Sequence, residues 1–173
     1  MTALDRNPKT LNFLPALDFR LIIKRCPNVQ FFVQKGNLPG ISGQAVSIPT
    51  PLATIAKNYD HIEFHPLQIS FKVDEAFANY LEIHNWIRAL GPTKNFKGYA
   101  DLVKQSIASD LGLYSEMSMM LLDSNKNPKI QVTYQDAFPT DLSDLYFETD
   151  QNDIKYQTVT ATFAYTLYDI ELI

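Results

Sequence analysis

The alternation of apolar and polar positions is sharpest at Leu67, Ile69, Phe71 and Val73, which are separated by Gln68, Ser70 and Lys72. A period of two places the four apolar side chains on one side of an extended chain, so this stretch is predicted as a strand with one buried face. Phe19, Leu21 and Ile23 follow the same rule between Asp18 and Lys24. Beyond a Cys26-Pro27-Asn28 turn, Val29 to Gln34 is expected to be the hairpin partner of that strand. Ser115 to Leu122 and Lys129 to Gln135 flank Asp123-Ser124-Asn125-Lys126-Asn127-Pro128, a run of turn-forming residues. Leu145 to Thr149 reads as a short strand and Tyr156 to Tyr168 as a long one. The long strand carries Val159, Ala161, Phe163, Tyr165 and Leu167 on one face, and Thr158, Thr160, Thr162 and Thr166 on the other. Such a polar but uncharged face suits another backbone or a confined aqueous surface.

After Asp74 the period changes to that of a helix. Phe77, Tyr80, Leu81, Ile83, Trp86, Ile87 and Leu90 form one broad apolar face, and Gly91-Pro92 stops it. The Asp74 carboxylate can accept from the first free N–H groups, with Glu75 favouring the positive end of the helix. Tyr99 to Ile107 is predicted as a short second helix. Strands, one main helix, then strands again, without βαβ alternation, predict a mostly-β, α+β fold: an antiparallel sheet system with one packed helix. Residues 1–16 read as an N-terminal arm and residues 17–173 as a single domain.

One segment obeys neither period. Residues 37–66 are punctuated by Pro39, Gly40, Gly43, Pro49, Pro51 and Pro66, yet keep Ile41, Val46, Ile48, Leu52, Ile55 and Ile62. A long loop inside a compact domain is usually functional, and its aliphatic content points to packing against a neighbour. Leu38, Pro39, Ile48, Leu52, Ile55 and Tyr59 are the expected inter-subunit contacts.

Composition sharpens this picture in a few places. Aromatic residues make up 12% of the chain, with nine Tyr and eleven Phe, which favours strands and interfaces. The net charge of −4 argues against a protein that grips duplex nucleic acid, though not against one that lets it pass. Cys26 is the only cysteine, so no internal disulfide forms, which fits folding in a reducing cytoplasm. Met1 to Lys9 has no apolar core of a signal peptide, and the most apolar run, Met117 to Leu122, is too short to span a bilayer. No membrane partner is expected.

Candidate chemistry is sparse. His61-x-Glu63-x-His65 places three ligand-type residues on one strand face, but the spacing matches no zinc signature and ordinary surface residues explain it better. His84, beside Trp86, reads as a packed or surface helical histidine. Cys26 has no histidine nearby in sequence to activate it, and Gly40-Ile41-Ser42-Gly43 lacks the spacing of a nucleophile elbow. No catalytic residue, metal or cofactor is expected. The charge layout says more: Asp136, Asp141, Asp144, Glu148, Asp150 and Asp153 run without a Lys or Arg between Asp136 and Asp153. Arg6, Lys9, Arg20, Lys24, Arg25 and Lys35 dominate the start. These are either two solvated faces or complementary surfaces of a head-to-tail assembly.

Several segments together resemble the tail tube proteins of T4-type contractile phages. They are Leu38-Pro39-Gly40, the strand-to-helix join from Ile69 to Ala76, Asn85-Trp86, and the stretch from Phe138 to Leu145. The closing run, Asn152-Asp153-Ile154 and then Val159 to Tyr165, is similar as well, so the likeness extends from about residue 17 to the end. It implies a small antiparallel β-barrel or sandwich with a flanking helix, and no catalytic residues. It also implies hexameric rings that join sheets into an inner barrel and stack through residues 37–66. The lumen would conduct DNA during genome ejection, with the tail sheath outside and baseplate or tail-terminator proteins at the ends. An acidic lumen would let DNA slide as cargo, with Asp141, Asp144, Glu148 and Asp150 as candidates for its wall. The product would be assembled in the host cytoplasm and reside in the virion tail. The ending, Tyr168 to Ile173, lacks the aromatic-acid finish of the main tube subunit. A baseplate tube initiator, a tail-completion ring and the tube subunit of a phage-like contractile injection system are therefore the near alternatives. A soluble carbohydrate- or ligand-binding β-module is the distant one.

Overall fold

A computed structural model describes residues 13–14, 18–92, 96–109, 112–149 and 155–173. Most of the expected arm, 1–16, lies outside the described residues; within it Phe13 and Leu14 are exposed. Eleven strands and three helices follow one another in the described chain. β1 (Phe19–Ile23), β8 (Ser115–Leu122), the first half of β9 (Pro128–Leu142) and β11 (Leu167–Leu172) form one antiparallel sheet, in the order β1-β8-β9-β11. The second half of β9, β10 (Thr158–Ala164), β7 (Leu67–Lys72) and β2 (Val33–Gly36) form a second, also antiparallel. β9 thus belongs to both, and Asp136, at φ 54°, stands where it passes from one to the other. Both sheets keep open edges among the described residues, so these form an open sandwich and not a closed barrel.

The alternation that identifies the strands also builds the core. Leu67, Ile69 and Phe71 of β7 face Phe163, Ala161 and Val159 of β10 in register, and all six are fully buried. Leu21, Ile23, Met117, Met119, Val132 and Tyr134 supply the opposing layer from the first sheet. At about 1.5–3 kcal/mol for each large apolar side chain removed from water, these two layers are the main source of stability.

The helices depart from the simplest expectation. Residues 27–32 form a helix, α1 (Pro27–Phe32), not a strand, and β2 pairs with β7 instead of β1. Pro27 opens α1, where its fixed φ suits the first helical position and its missing N–H loses nothing. α2 (Ala78–Leu90) starts later than the apolar pattern did, after Phe77 in a left-handed conformation. Asp74 still holds its start: Asp74 Oδ1 accepts from the Asn79 N–H at 3.1 Å, and the buried Asn79 Nδ2 donates to Lys72 O at 2.8 Å. α2 ends on Gly91, whose N–H bonds Ile87 O. It packs on β9 and on α3 (Lys97–Ser109), the longer form of the predicted second helix. Trp86 anchors it, 6.2 Å from the Phe163 ring, with its indole N–H donating to Leu113 O and the Arg25 guanidinium 5.2 Å above it.

The C-terminal third also differs in detail. The expected strand at 145–149 is irregular chain, while β9 runs on to Leu142 through Pro139. Pro139 is tolerated there because that half of β9 is an edge, with β10 on one side only. The long strand predicted to Tyr168 breaks at Tyr165-Thr166 into β10 and β11. The Asp123 turn is as expected, its Oδ1 accepting from the N–H groups of Asn125 and Asn127 at 2.8 and 3.0 Å.

Candidate assembly surfaces

Residues 37–66 leave the second sheet between β2 and β7 and return to it, forming a projecting arm of two small ladders. At its base, β3 (Ile41–Ser42) pairs with β6 (Glu63–Phe64); farther out, β4 (Val46–Pro49) pairs with β5 (Thr54–Lys57). The tip turns through Thr50 to Ala53, with the Thr50 N–H donating to Ala53 O at 2.9 Å. Gly43 is required by a close approach: a Cβ there would lie 2.6 Å from the Tyr59 ring.

The root is pinned by aromatic residues from the β10–β11 corner. The Tyr168 hydroxyl donates to Pro39 O at 3.1 Å and the Tyr165 hydroxyl to His65 O at 2.7 Å, one on each leg of the arm. Phe64 sits between them, its ring 5.4 Å from Tyr168 and 6.1 Å from Tyr165. Asn37 ties the legs to β7, accepting from the Gln68 N–H at 2.6 Å and donating to Pro66 O at 3.3 Å. Tyr134, fully buried behind this group, has its phenol pushed upward by burial and then by Tyr165 and Tyr168.

Beyond the root the arm is bare. Ile48, Leu52, Ile55 and Tyr59 are exposed, with Leu52 at 99%, and Leu38 is exposed at the root. Pro39 is the exception among the expected contacts. It is buried in the chain's own root, so its side chain is not offered to a neighbour in the free subunit. Sequence reasoning missed Val46: in the β4–β5 register Val46, Ile48, Ile55 and Lys57 share one face of the hairpin. The period-two signal was present, but the prolines at 49 and 51 obscured it.

A second surface is the outer face of the second sheet. Gln68, Ser70 and Lys72 of β7 lie beside Thr162, Thr160 and Thr158 of β10, with Ser70 Oγ and Thr160 Oγ1 2.9 Å apart. Lys35 joins one end of this face opposite Ser70, and Asp141 joins the other opposite Thr162. The opposite face of the sheet carries the core and, through Trp86 on Phe163, α2. Of the acidic candidates, Asp141, Asp144 and Glu148 are exposed, and Asp144 accepts from the Tyr146 hydroxyl at 3.3 Å. Asp150 lies outside the described residues.

His61 contacts Asp60 at 3.2 Å on the surface, and His65 Nε2 lies 3.3 Å from Ser42 Oγ with its other ring nitrogen against Gly40. Among the described residues no three His, Cys, Asp or Glu side chains gather as metal ligands. Cys26 is buried, and burial first, then Glu82, pushes its thiol up to about 12, so it stays protonated at neutral pH. No helix of the described chain is long and apolar enough to cross a membrane.

A family model described as phage tail tube protein matches residues 10–171. Comparison with curated proteins gives no match. Among solved structures, a chain of the anti-feeding prophage tube-terminating cap superposes with a TM-score of 0.60 at 12% identity, covering 100% of both chains. A chain of the six-fold symmetrised anti-feeding prophage baseplate gives 0.59 at 10% identity, over 94% of this chain and 97% of its own. A chain of the sheath-tube complex of an extracellular contractile injection system gives 0.56 at 12% identity, over 94% of each. At these identities the likeness is one of fold.

Proposed function

The chain belongs to the phage tail tube protein family, and on that premise we propose that its copies close into hexameric rings which stack as the inner tube of a contractile tail and conduct DNA. The family is one of structural proteins, and a place in the tail follows from membership. The observation that carries the finer reading is the second sheet. Its strands alternate in direction from the end of β9 through β10 and β7 to β2, and both outer strands are unpaired among the described residues. Four alternating strands let the β9 end of one copy follow β2 of the next in antiparallel order, with every copy pointing the same way. Such a head-to-tail contact closes into a ring and removes the exposed edges. The largely Ser/Thr face, with Lys35 and Lys72 among its residues, then lines the channel, a surface that wets readily and whose few cations are set against the carboxylates beside it.

Asp141 sits on that face, and Asp144 and Glu148 follow it. We assign them to the channel wall, where they repel phosphate. The arm reaches the adjacent ring, while the sheath, the baseplate and a terminator protein meet the remaining surfaces. Assembly takes place in the host cytoplasm. Electron microscopy of the purified chain tests the ring: hollow six-fold rings or tubes are expected, and a strictly monomeric particle at high concentration would reject it. Asp141→Lys with Asp144→Lys tests the wall: tails are expected to form normally but to eject DNA more slowly, and unchanged ejection would remove these residues from the lumen. Copy number per particle separates a main tube subunit from a single initiator or completion ring.

A further inference from the structure

The proposed reach of the arm to a neighbour leaves open the surface on which it lands, and the first sheet offers a candidate. β11 is the edge strand of the first sheet, paired in unbroken register with β9 and with nothing on its other side among the described residues. It has neither proline nor bulge, and Asp169 and Glu171 are its only charged side chains. Its side chains fall into two rows: Ile170 and Leu172 on one face, Asp169 and Glu171 on the other. Ile170, Leu172 and the following Ile173 are exposed, Leu172 at 84%. Exposed aliphatics in a row on an open edge are the kind of surface that a partner covers.

The arm is the matching part. Its Val46, Ile48 and Ile55 present one aliphatic face with Lys57 at its margin, and from Gly43 to Tyr59 the chain has that single cation and no carboxylate. β11 has two carboxylates and no cation. The two patches are also separate from each other along the chain. Tyr168, at the start of β11, touches the arm's root, whereas Leu172 is four residues farther along, about 13 Å at roughly 3.3 Å per residue. Two different patches allow a heterologous contact, the kind that repeats from one copy to the next along a stack.

We propose that the aliphatic face of the arm, Val46, Ile48 and Ile55 with the tip Leu52, seats on Ile170, Leu172 and Ile173 of a copy in the adjacent ring. Lys57, at the margin of the arm's face, then reaches around the open edge of β11 to Glu171 on its far side. This contact rests on the ring-stacking reading, and it names the partner surface which that reading leaves open.

Tubes assembled from the full chain provide the test. Ile48→Cys combined with Leu172→Cys is expected to give an intermolecular disulfide ladder on oxidation of tubes and none in separated rings; native Cys26 is buried and does not interfere. Ile48→Asp or Leu172→Asp is expected to leave single rings intact while raising the subunit concentration needed for stacking at least about tenfold, a loss of roughly 1.4 kcal/mol. In the Lys57→Glu background, Glu171→Lys is expected to recover stacking. Tubes that form normally with both Asp variants, or cross-links as abundant in separated rings as in tubes, would overturn the contact. A wild-type chain that forms no rings at all would instead reject the ring reading beneath it.

Discussion

Ile69 in β7 and Ile55 in β5 are the same residue in the same kind of strand, yet Ile69 is fully buried and Ile55 is 52% exposed. β7 has every second side chain under the opposing layer, whereas β4 and β5 are exposed along their whole length. The difference shows which apolar residues serve the fold and which do not. Those of the sandwich are satisfied within the chain. Those of the arm gain nothing from it, and only an outside surface can remove them from water. What the chain does supply to the arm is direction, through two tyrosine hydroxyls at the root.

Substitutions on the two sides of this comparison should therefore separate stability from assembly. The largest effect belongs to the sandwich: Phe163→Ala, beneath Trp86, is expected to cost about 3–5 kcal/mol in denaturant unfolding of the free subunit. Trp86→Phe is next, at about 1–2 kcal/mol, because it loses the bond to Leu113 O and part of the Arg25 stacking while keeping an aromatic ring. Tyr168→Phe should cost about 1 kcal/mol or less. Its distinctive readout is faster hydrogen exchange confined to residues 37–66, and an unchanged exchange pattern would deny the root its role. Smallest of all is Ile55→Ser, within about 0.5 kcal/mol for the free subunit. An unfolding midpoint as low as that of Phe163→Ala would erase the comparison.

The same root has an alkaline limit. Burial, and then the neighbouring Tyr168 phenol, pushes Tyr165 from its ordinary 10 up to about 12. Because the folded value is raised, the stability contributed by the protonated hydroxyl is whole below pH 10. It falls as the pH rises towards about 12, when the unfolded chain ionises first. Ultraviolet titration of the folded wild type should thus show late-ionising tyrosine that becomes ordinary on unfolding.

Much of this architecture was legible in the sequence, and the failures have physical causes. Strands with one dry face, such as β7, β8 and β10, announce themselves because burial imposes the period of two. α1 was hidden because Val29, Phe31 and Phe32 carry strand-favouring side chains; Pro27 at the first helical position was the contrary signal. The far half of β9 was hidden by Pro139, which argues against a strand unless the strand is known to be an edge. Asp74 was correctly read as holding the start of a helix, yet the helix begins at Ala78, since Phe77 adopts a left-handed turn that no periodicity reveals. The arm's aliphatic content and its prolines were plain from the sequence. The sharing of one face by Val46, Ile48 and Ile55 needed the β4–β5 register. Pairing in space of Tyr165 with His65, 100 residues apart in sequence, lies beyond any local pattern.

β9 carries a mechanical consequence. Its 15 residues are laced to β8 and β11 in one layer and to β10 in the other. The layers therefore cannot slide past each other as stacked plates do, because shear would have to stretch one continuous backbone or unzip ladders on both sides of it. A single polypeptide segment thus rivets the two layers together, and resistance to shear is built into the isolated subunit.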